Sequence, residues 1–206
     1  MTRHLLTPLL PLLMLAACSD DAPNEPTPIQ RTEIATITRL ERPVIFELPG
    51  DDGTPAVTLS ADVELQGATA GQRVLLLYSM AVADTALNPR PITIRGVGGI
   101  PWGEIKPLQP EVIGLLEMKH YKILSSWTTG EWLNLQMEYR TGGETVFTLV
   151  ADSATIDDEE VRCHFIAVGN PEGNAYVDRR TFASFSTSKI LTRPGQKVVI
   201  APPSEE

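Results

Sequence analysis

The chain has 206 residues, 42% of them hydrophobic and 21% charged, with a formal net charge of −9 at pH 7. That length supports one large domain or two small ones with ordinary hydrophobic cores. An acidic surface repels phosphate backbones and anionic lipid headgroups, which argues against nucleic-acid binding and against membrane attachment through a basic face.

Arg3 and His4 open the chain and are followed by a Leu-rich stretch, 5–15, interrupted by Pro8 and Pro11. It is too short and too broken to span a bilayer as a permanent helix, so 1–17 reads as a signal peptide. The stretch ends in Leu15-Ala16-Ala17-Cys18, which resembles a lipobox, the pattern of bacterial lipoprotein signals. The resemblance implies that Cys18 receives a diacylglyceryl thioether, becomes the N-terminus after cleavage and is then acylated. At about 0.8 kcal/mol per buried methylene, two or three acyl chains hold a protein on a membrane permanently. An ordinary secretory signal with an incidental cysteine is the competing reading. With Cys18 lipidated, the second cysteine of the chain, Cys163, has no disulfide partner in the monomer, and an ordinary core must stabilise the fold.

Residues 18–31 contain Ser19-Asp20-Asp21-Ala22-Pro23-Asn24-Glu25-Pro26-Thr27-Pro28, with three prolines and no bulky apolar side chain. Such a segment reads as an extended acidic tether. Acidic residues directly after a lipidated cysteine resemble the surface-export signal of some gut and oral Gram-negative anaerobes. That implies an outer-membrane protein facing outward; a spacer holding the protein on the periplasmic face is the alternative.

From 32 to 107 the pattern is strand-like, and the class is all-β. Segments 34–40 and 44–48 precede the turn signal Pro49-Gly50-Asp51-Asp52-Gly53. In 57–65, Val57, Leu59, Ala61, Val63 and Leu65 share one face. Segment 73–80 is apolar on both faces and reads as a central strand. Segment 92–97 resumes the alternation, and Gly96-Val97-Gly98-Gly99 reads as a barrel-closing turn, since it lacks the Lys-Ser/Thr of a phosphate loop. Five short strands in this span suggest a small barrel.

The three prolines of 101–110 mark a boundary, and 108–206 forms the second domain. Segment 111–118 is a single helical stretch. Segments 121–127 and 132–139 are strands; in the latter Leu133, Leu135, Met137 and Tyr139 alternate with Trp132, Asn134, Gln136 and Glu138. Thr141-Gly142-Gly143 leads into 146–151, a hairpin by period and turn chemistry. Segments 161–167 and 182–189 complete an antiparallel β-sandwich.

The run Ser126-Trp127-Thr128-Thr129-Gly130-Glu131-Trp132-Leu133-Asn134-Leu135-Gln136-Met137-Glu138-Tyr139 resembles the NigD-like lipoproteins. So do Phe147-Thr148-Leu149-Val150, the stretch from Tyr176 to Phe185, and Gly71-Gln72-Arg73-Val74-Leu75-Leu76-Leu77-Tyr78. The resemblance implies an OB-like barrel (32–107) followed by a β-sandwich (108–206). The family is named for a gene cluster linked to a bacteriocin, so it also implies a link to bacteriocin production or immunity.

Nothing in the residues points to catalysis or to a cofactor. Adjacent Cys163 and His164 project to opposite faces of a strand and cannot form a nucleophile–base pair. Cys163 reads as a buried core thiol, and His164, beside Arg162, as an exposed sheet residue. HExxH, CxxC and GxSxG are absent, and His120 has no second histidine at metal spacing. Asp157-Asp158-Glu159-Glu160 reads as a solvated turn that discourages edge aggregation, with calcium binding as the alternative. Of Trp102, Trp127 and Trp132, Trp132 shares a polar face with Asn134 and Gln136. Trp132 and Gln136 are therefore the candidate ligand-binding residues, stacking on a sugar and bonding its hydroxyls; packing of Trp132 across the hairpin or between the domains is the alternative. Two functions remain. One is a non-catalytic interaction module that docks an envelope protein or a secreted toxin; the other is a glycan- or peptide-binding surface lipoprotein.

Overall fold

The computed structural model describes residues 27–51, 53–118, 120–141, 146–168 and 177–202. Cys18, the signal segment, most of the tether and the Gly142-Gly143 turn lie outside them. In the first half, six strands form one sheet: β1 (Ile29–Arg39), β2 (Val44–Leu48), β3 (Val57–Ala61), β4 (Arg73–Met80), β5 (Arg90–Pro91) and β6 (Thr93–Gly99). Their order is β5-β3-β2-β1-β4-β6. Every pairing is antiparallel except the two-residue contact of β3 with β5. Strand alternation turns Ala35 and Ile37 of β1, Phe46 of β2, Leu59 of β3 and Leu76 and Tyr78 of β4 to one side, where they share a single core. The two edge strands do not pair with each other, so the sheet curls around this core as an open, barrel-like half.

β1 begins at Ile29, inside the stretch expected to be tether, and runs eight consecutive pairs along β4. β3 stops at Ala61, although Val63 and Leu65 continue to pack against the core. The expected turn at 96–99 is instead part of β6: Gly96, Val97, Gly98 and Gly99 pair with Leu77, Leu76, Leu75 and Val74. Glycine has poor intrinsic strand preference, but β4 offers a long apolar partner and tertiary pairing overrides propensity.

The second half is a sandwich. It contains β7 (Trp102–Glu104), β8 (Lys106–Leu108), α1 (Pro110–Leu116), β9 (Tyr121–Thr129), β10 (Trp132–Thr141), β11 (Val146–Asp152), β12 (Glu160–Val168), β13 (Val177–Ser186) and β14 (Lys197–Ile200). One sheet has the order β7-β13-β10-β9, the other β14-β12-β11-β8. Leu133, Leu135, Met137, Ala183 and Phe185 of the first meet Phe147, Leu149, Val161, Cys163 and Phe165 of the second in one core. Phe165 sits at its centre, edge-on to Tyr121, Phe147 and Phe185 with ring centroids 5.0, 5.7 and 6.2 Å away. The inner ladders are antiparallel, whereas the short strands β7, β8 and β14 add in parallel.

The expected hairpin of 132–139 with 146–151 does not form, because β10 and β11 belong to opposite sheets. Each strand has one apolar face, and those faces oppose each other across the sandwich. A Gly-rich connection permits that arch as readily as a hairpin. The hairpin instead joins β9 to β10 through Gly130 and Glu131, with Gly130 at φ +57°, the left-handed region that a tight two-residue turn requires.

Truncating the central ring tests this core. Phe165→Ala is expected to cost about 3–5 kcal/mol of stability, measured as a lower urea midpoint.

Candidate functional site

Arg73 opens β4, and β-strand alternation points it away from the core formed by Val74, Leu76 and Tyr78, toward the sandwich. It is fully buried there. Its Nε donates to Ser184 Oγ (3.0 Å), one terminal nitrogen to Thr36 Oγ1 (2.9 Å) and the other to Asn134 Oδ1 (3.1 Å). Ser184 Oγ in turn donates to Asn134 Oδ1 (2.8 Å), and Asn134 Nδ2 to Thr129 Oγ1 (3.2 Å). The guanidinium carbon lies 4.5 Å from the Trp132 ring centroid, within cation–π range. Neutral oxygens thus satisfy a buried charge. Burial pulls its pKa down to about 10, opposed by the attraction of Glu47, so the group stays cationic at neutral pH.

Next to this junction a groove of about 400 Å³ opens between the halves. Its floor is β1 from Thr32 to Ile34 with Leu75 of β4; its far wall is Trp127 and Phe182, with Thr129 and Asn134 beside them. The rings of Trp127 and Phe182 meet edge-on at 6.4 Å, and Trp127 is 39% exposed. Leu48, Pro49 and Asp51 bound it on the side of the loop after β2. That loop approaches the β9–β10 turn closely: a side chain at Gly130 would meet Pro49 at 3.5 Å and the Gly50 carbonyl at 3.6 Å. Those distances are ordinary van der Waals contacts, so glycine is needed at 130 for its positive φ.

Trp132, a candidate sugar platform from the sequence, has one ring face covered by Arg73 between the halves. Gln136 lies on the same outer sheet face, opposite Phe182 on β13 and Ser125 on β9. Trp102 is exposed on β7, away from the groove lining. His164 is not an exposed sheet residue: its Nδ1 lies 2.7 Å from Glu117 Oε1, and both side chains are largely buried, because α1 leads the chain across the outer face of β12. Cys163 is buried among the sandwich side chains, and burial alone pushes its thiol up to about 12. Around 157–160 the carbonyls of Ile156 and Asp158 accept from Gln196 Nε2 (2.9 and 2.8 Å), and Lys197 pairs with Glu160 at 3.2 Å. Among the described residues no three His, Cys, Asp or Glu side chains are placed to hold a metal ion.

Sequence reasoning named Trp127 among the three candidate tryptophans without singling it out, and missed Arg73 and Phe182. A usable signal for Arg73 existed, since it is the one charged residue in the run Arg73-Val74-Leu75-Leu76-Leu77-Tyr78. Nothing in the local pattern distinguishes Trp127 and Phe182 from other half-buried strand aromatics.

A curled open sheet joined through a buried arginine to a two-sheet sandwich defines an all-β protein with two principal cores, a small third cluster of Ile113, Val150 and Ile166 under α1, and a groove between the halves. No family model and no curated relative matches the sequence. Solved structures do share the fold. A protein of unknown function from Bacteroides vulgatus is 17% identical, with a TM-score of 0.62 over 86% of this chain and 87% of that one. A NigD-like immunity protein from Bacteroides caccae is 20% identical, with a TM-score of 0.58 over 82% and 83%. A candidate lipoprotein from Bacteroides fragilis is 14% identical, with a TM-score of 0.52 over 79% and 80%. None of the three carries a catalytic assignment in its name. Among the described residues, no helix is long and apolar enough to cross a membrane.

Two measurements follow from this geometry. Asn134→Ala removes an acceptor from a buried cation and is expected to cost about 2 kcal/mol; in an Arg73→Met background the cost should fall below about 1 kcal/mol, as read by a double-mutant cycle in urea. A thiol raised to about 12 presents almost no thiolate at pH 8. Cys163 should therefore resist iodoacetamide in the folded protein and react once urea unfolds it, as followed by peptide mass spectrometry.

Proposed function

We propose that the protein is a NigD-like envelope lipoprotein, anchored through Cys18, whose two β halves form a non-catalytic binding module for another protein. The groove carries this reading. It is a concavity between two separately cored halves, held open beside a rigid buried junction and walled by a partly exposed tryptophan, the type of aromatic that anchors protein partners. The lipobox-like Leu15-Ala16-Ala17-Cys18 and the acidic stretch after it support a lipid-anchored position at the outer membrane, facing outward. The fold shared with an immunity protein and a candidate lipoprotein supports a partner that is an envelope protein or a secreted toxin.

A photo-crosslinking residue at Thr129, beside the groove, is expected to capture one recurring protein on intact cells. The same residue at Lys122, outside the groove lining, should capture nothing comparable. Equal capture at both positions, or none at either, defeats the proposal. Cys18→Ala should move the protein out of the membrane fraction, and retention there would defeat the anchor.

A further inference from the structure

β1 is longer than its neighbour, and the excess faces the groove. Ile37 donates its N–H to the Gln72 carbonyl (2.9 Å) and accepts from Gly71 N–H (2.7 Å), both on the β4 side. The β1–β4 register runs without a slip from Thr36↔Arg73 to Ile29↔Met80. In an antiparallel ladder, alternate residues turn their backbone groups to opposite neighbours. Thr36, Ile34, Thr32 and Gln30 therefore present N–H and C=O away from β4, toward the β2 side. Thr36 meets Glu47 of β2, the last pair of that ladder. Beyond it β2 ends at Leu48, and Pro49 has no N–H to offer. No backbone bond to Ile34, Thr32 or Gln30 from that side exists among the described residues. The result is an open strand edge, roughly 14 Å from Gln30 to Ile34 at about 3.4 Å per residue, and two of its residues form the groove floor.

We infer that this groove takes an extended peptide segment of a partner protein, added as a strand along the open edge of β1 in line with β2. This rests on the binding-module reading above and specifies the ligand. Three observations select the occupant. Unpaired main-chain donors and acceptors in a row are complemented by another strand. The wall of Trp127 and Phe182 stands beside the edge, so an incoming strand lies between β1 and two aromatic rings. The carboxylates of Glu33 and Asp51 line the groove on a chain of net charge −9; Glu33 pairs at 3.3 Å with the half-exposed Arg31, which an incoming lysine or arginine displaces or shares the carboxylate with. The protein's own stretch 19–25, with Asp20, Asp21 and Glu25, carries the same sign of charge as those carboxylates and is a poorer match in sequence than a basic peptide.

Directly opposed residues share a face in an antiparallel pair, which gives the peptide a pattern. The residue opposite Glu33 is a lysine or arginine. The residues on either side of it, opposite Thr32 and Ile34, are apolar or aromatic and meet the face of Ile34, Trp127 and Phe182.

The test uses the full chain and an end-capped heptapeptide with a central lysine flanked by valine and phenylalanine. Two further peptides carry N-methyl groups on alternate residues, in the two possible phases. Binding is read by tryptophan fluorescence, and by hydrogen exchange of the Thr32 and Ile34 amides. The expected result is protection of both amides, with at least a tenfold loss of affinity for one N-methylated phase and little change for the other. Thr32→Pro removes an edge N–H that β4 does not use, which an edge strand tolerates; it should weaken the parent peptide by at least tenfold. Lysine-to-glutamate replacement in the peptide should weaken it comparably. Absence of binding, indifference to both N-methylated phases, or concentration-dependent pairing of two copies in place of peptide binding would overturn the inference. Should Thr32→Pro fail to fold, the two N-methylated phases decide alone. Cell-surface capture at Thr129 that persists in a folded Thr32→Pro protein would leave the binding module standing while removing strand addition. Loss of capture in the unmodified protein would remove both.

Discussion

A single buried guanidinium fixes how the two halves of this protein meet. Arg73 belongs to the first half, yet two of its three hydrogen-bonding partners, Asn134 and Ser184, lie 61 and 111 residues further on. Removing a cation from water is costly unless every donor finds an acceptor. Here Thr36, Asn134, Ser184 and the face of Trp132 surround the planar group. Because the guanidinium fork has fixed geometry, meeting those acceptors together specifies an orientation as well as an attachment. An apolar contact of the same area would allow sliding; this one does not.

The groove follows from that constraint. The junction places the outer face of the sandwich sheet against the outer face of the curled sheet, at the Thr36 end of β1. Toward Ile29, β1 outruns β2 and the two faces diverge. The loop after β2 meets the β9–β10 turn through Pro49 and Gly130, which makes a second point of contact. Between the junction and that contact lie the apolar side chains of Ile34, Leu75, Trp127 and Phe182, beside Glu33. The Glu33 carboxylate accepts from the Tyr78 hydroxyl (2.6 Å), so the acidic side of the groove is itself anchored in the first core.

The two cores differ in how they are built. The curled sheet closes on mainly aliphatic side chains around Phe46 and Tyr78, while the sandwich centres on a chain of edge-on aromatic rings through Phe165. Cys163 belongs to the second core as a small apolar residue, and its raised thiol is the chemical signature of that burial. Polar groups that the sandwich does expose at its ends are paired locally, as at the Gln196 side chain that gathers the carbonyls around 156–158.

Much of this was legible in the residues. Alternation in 132–139 named the buried Leu133, Leu135 and Met137, the doubly apolar 73–80 named a central strand, and the all-β class followed from both. The sequence alone determined which face of each strand is apolar, because side-chain alternation is a local property of the backbone. It also carries the lipobox-like start and the acidic stretch after it. Only the tertiary structure decided which strands pair. The Gly142-Gly143 pattern fits an arch as well as a hairpin, and the glycines of 96–99 became strand because β4 lay beside them. Periodicity likewise placed Trp132 on a polar face and His164 on an outer one, but it could not supply what covers them. Arg73 and Glu117 reach those side chains from distant segments, and a local pattern records which way a residue points, not what chain folding brings to meet it.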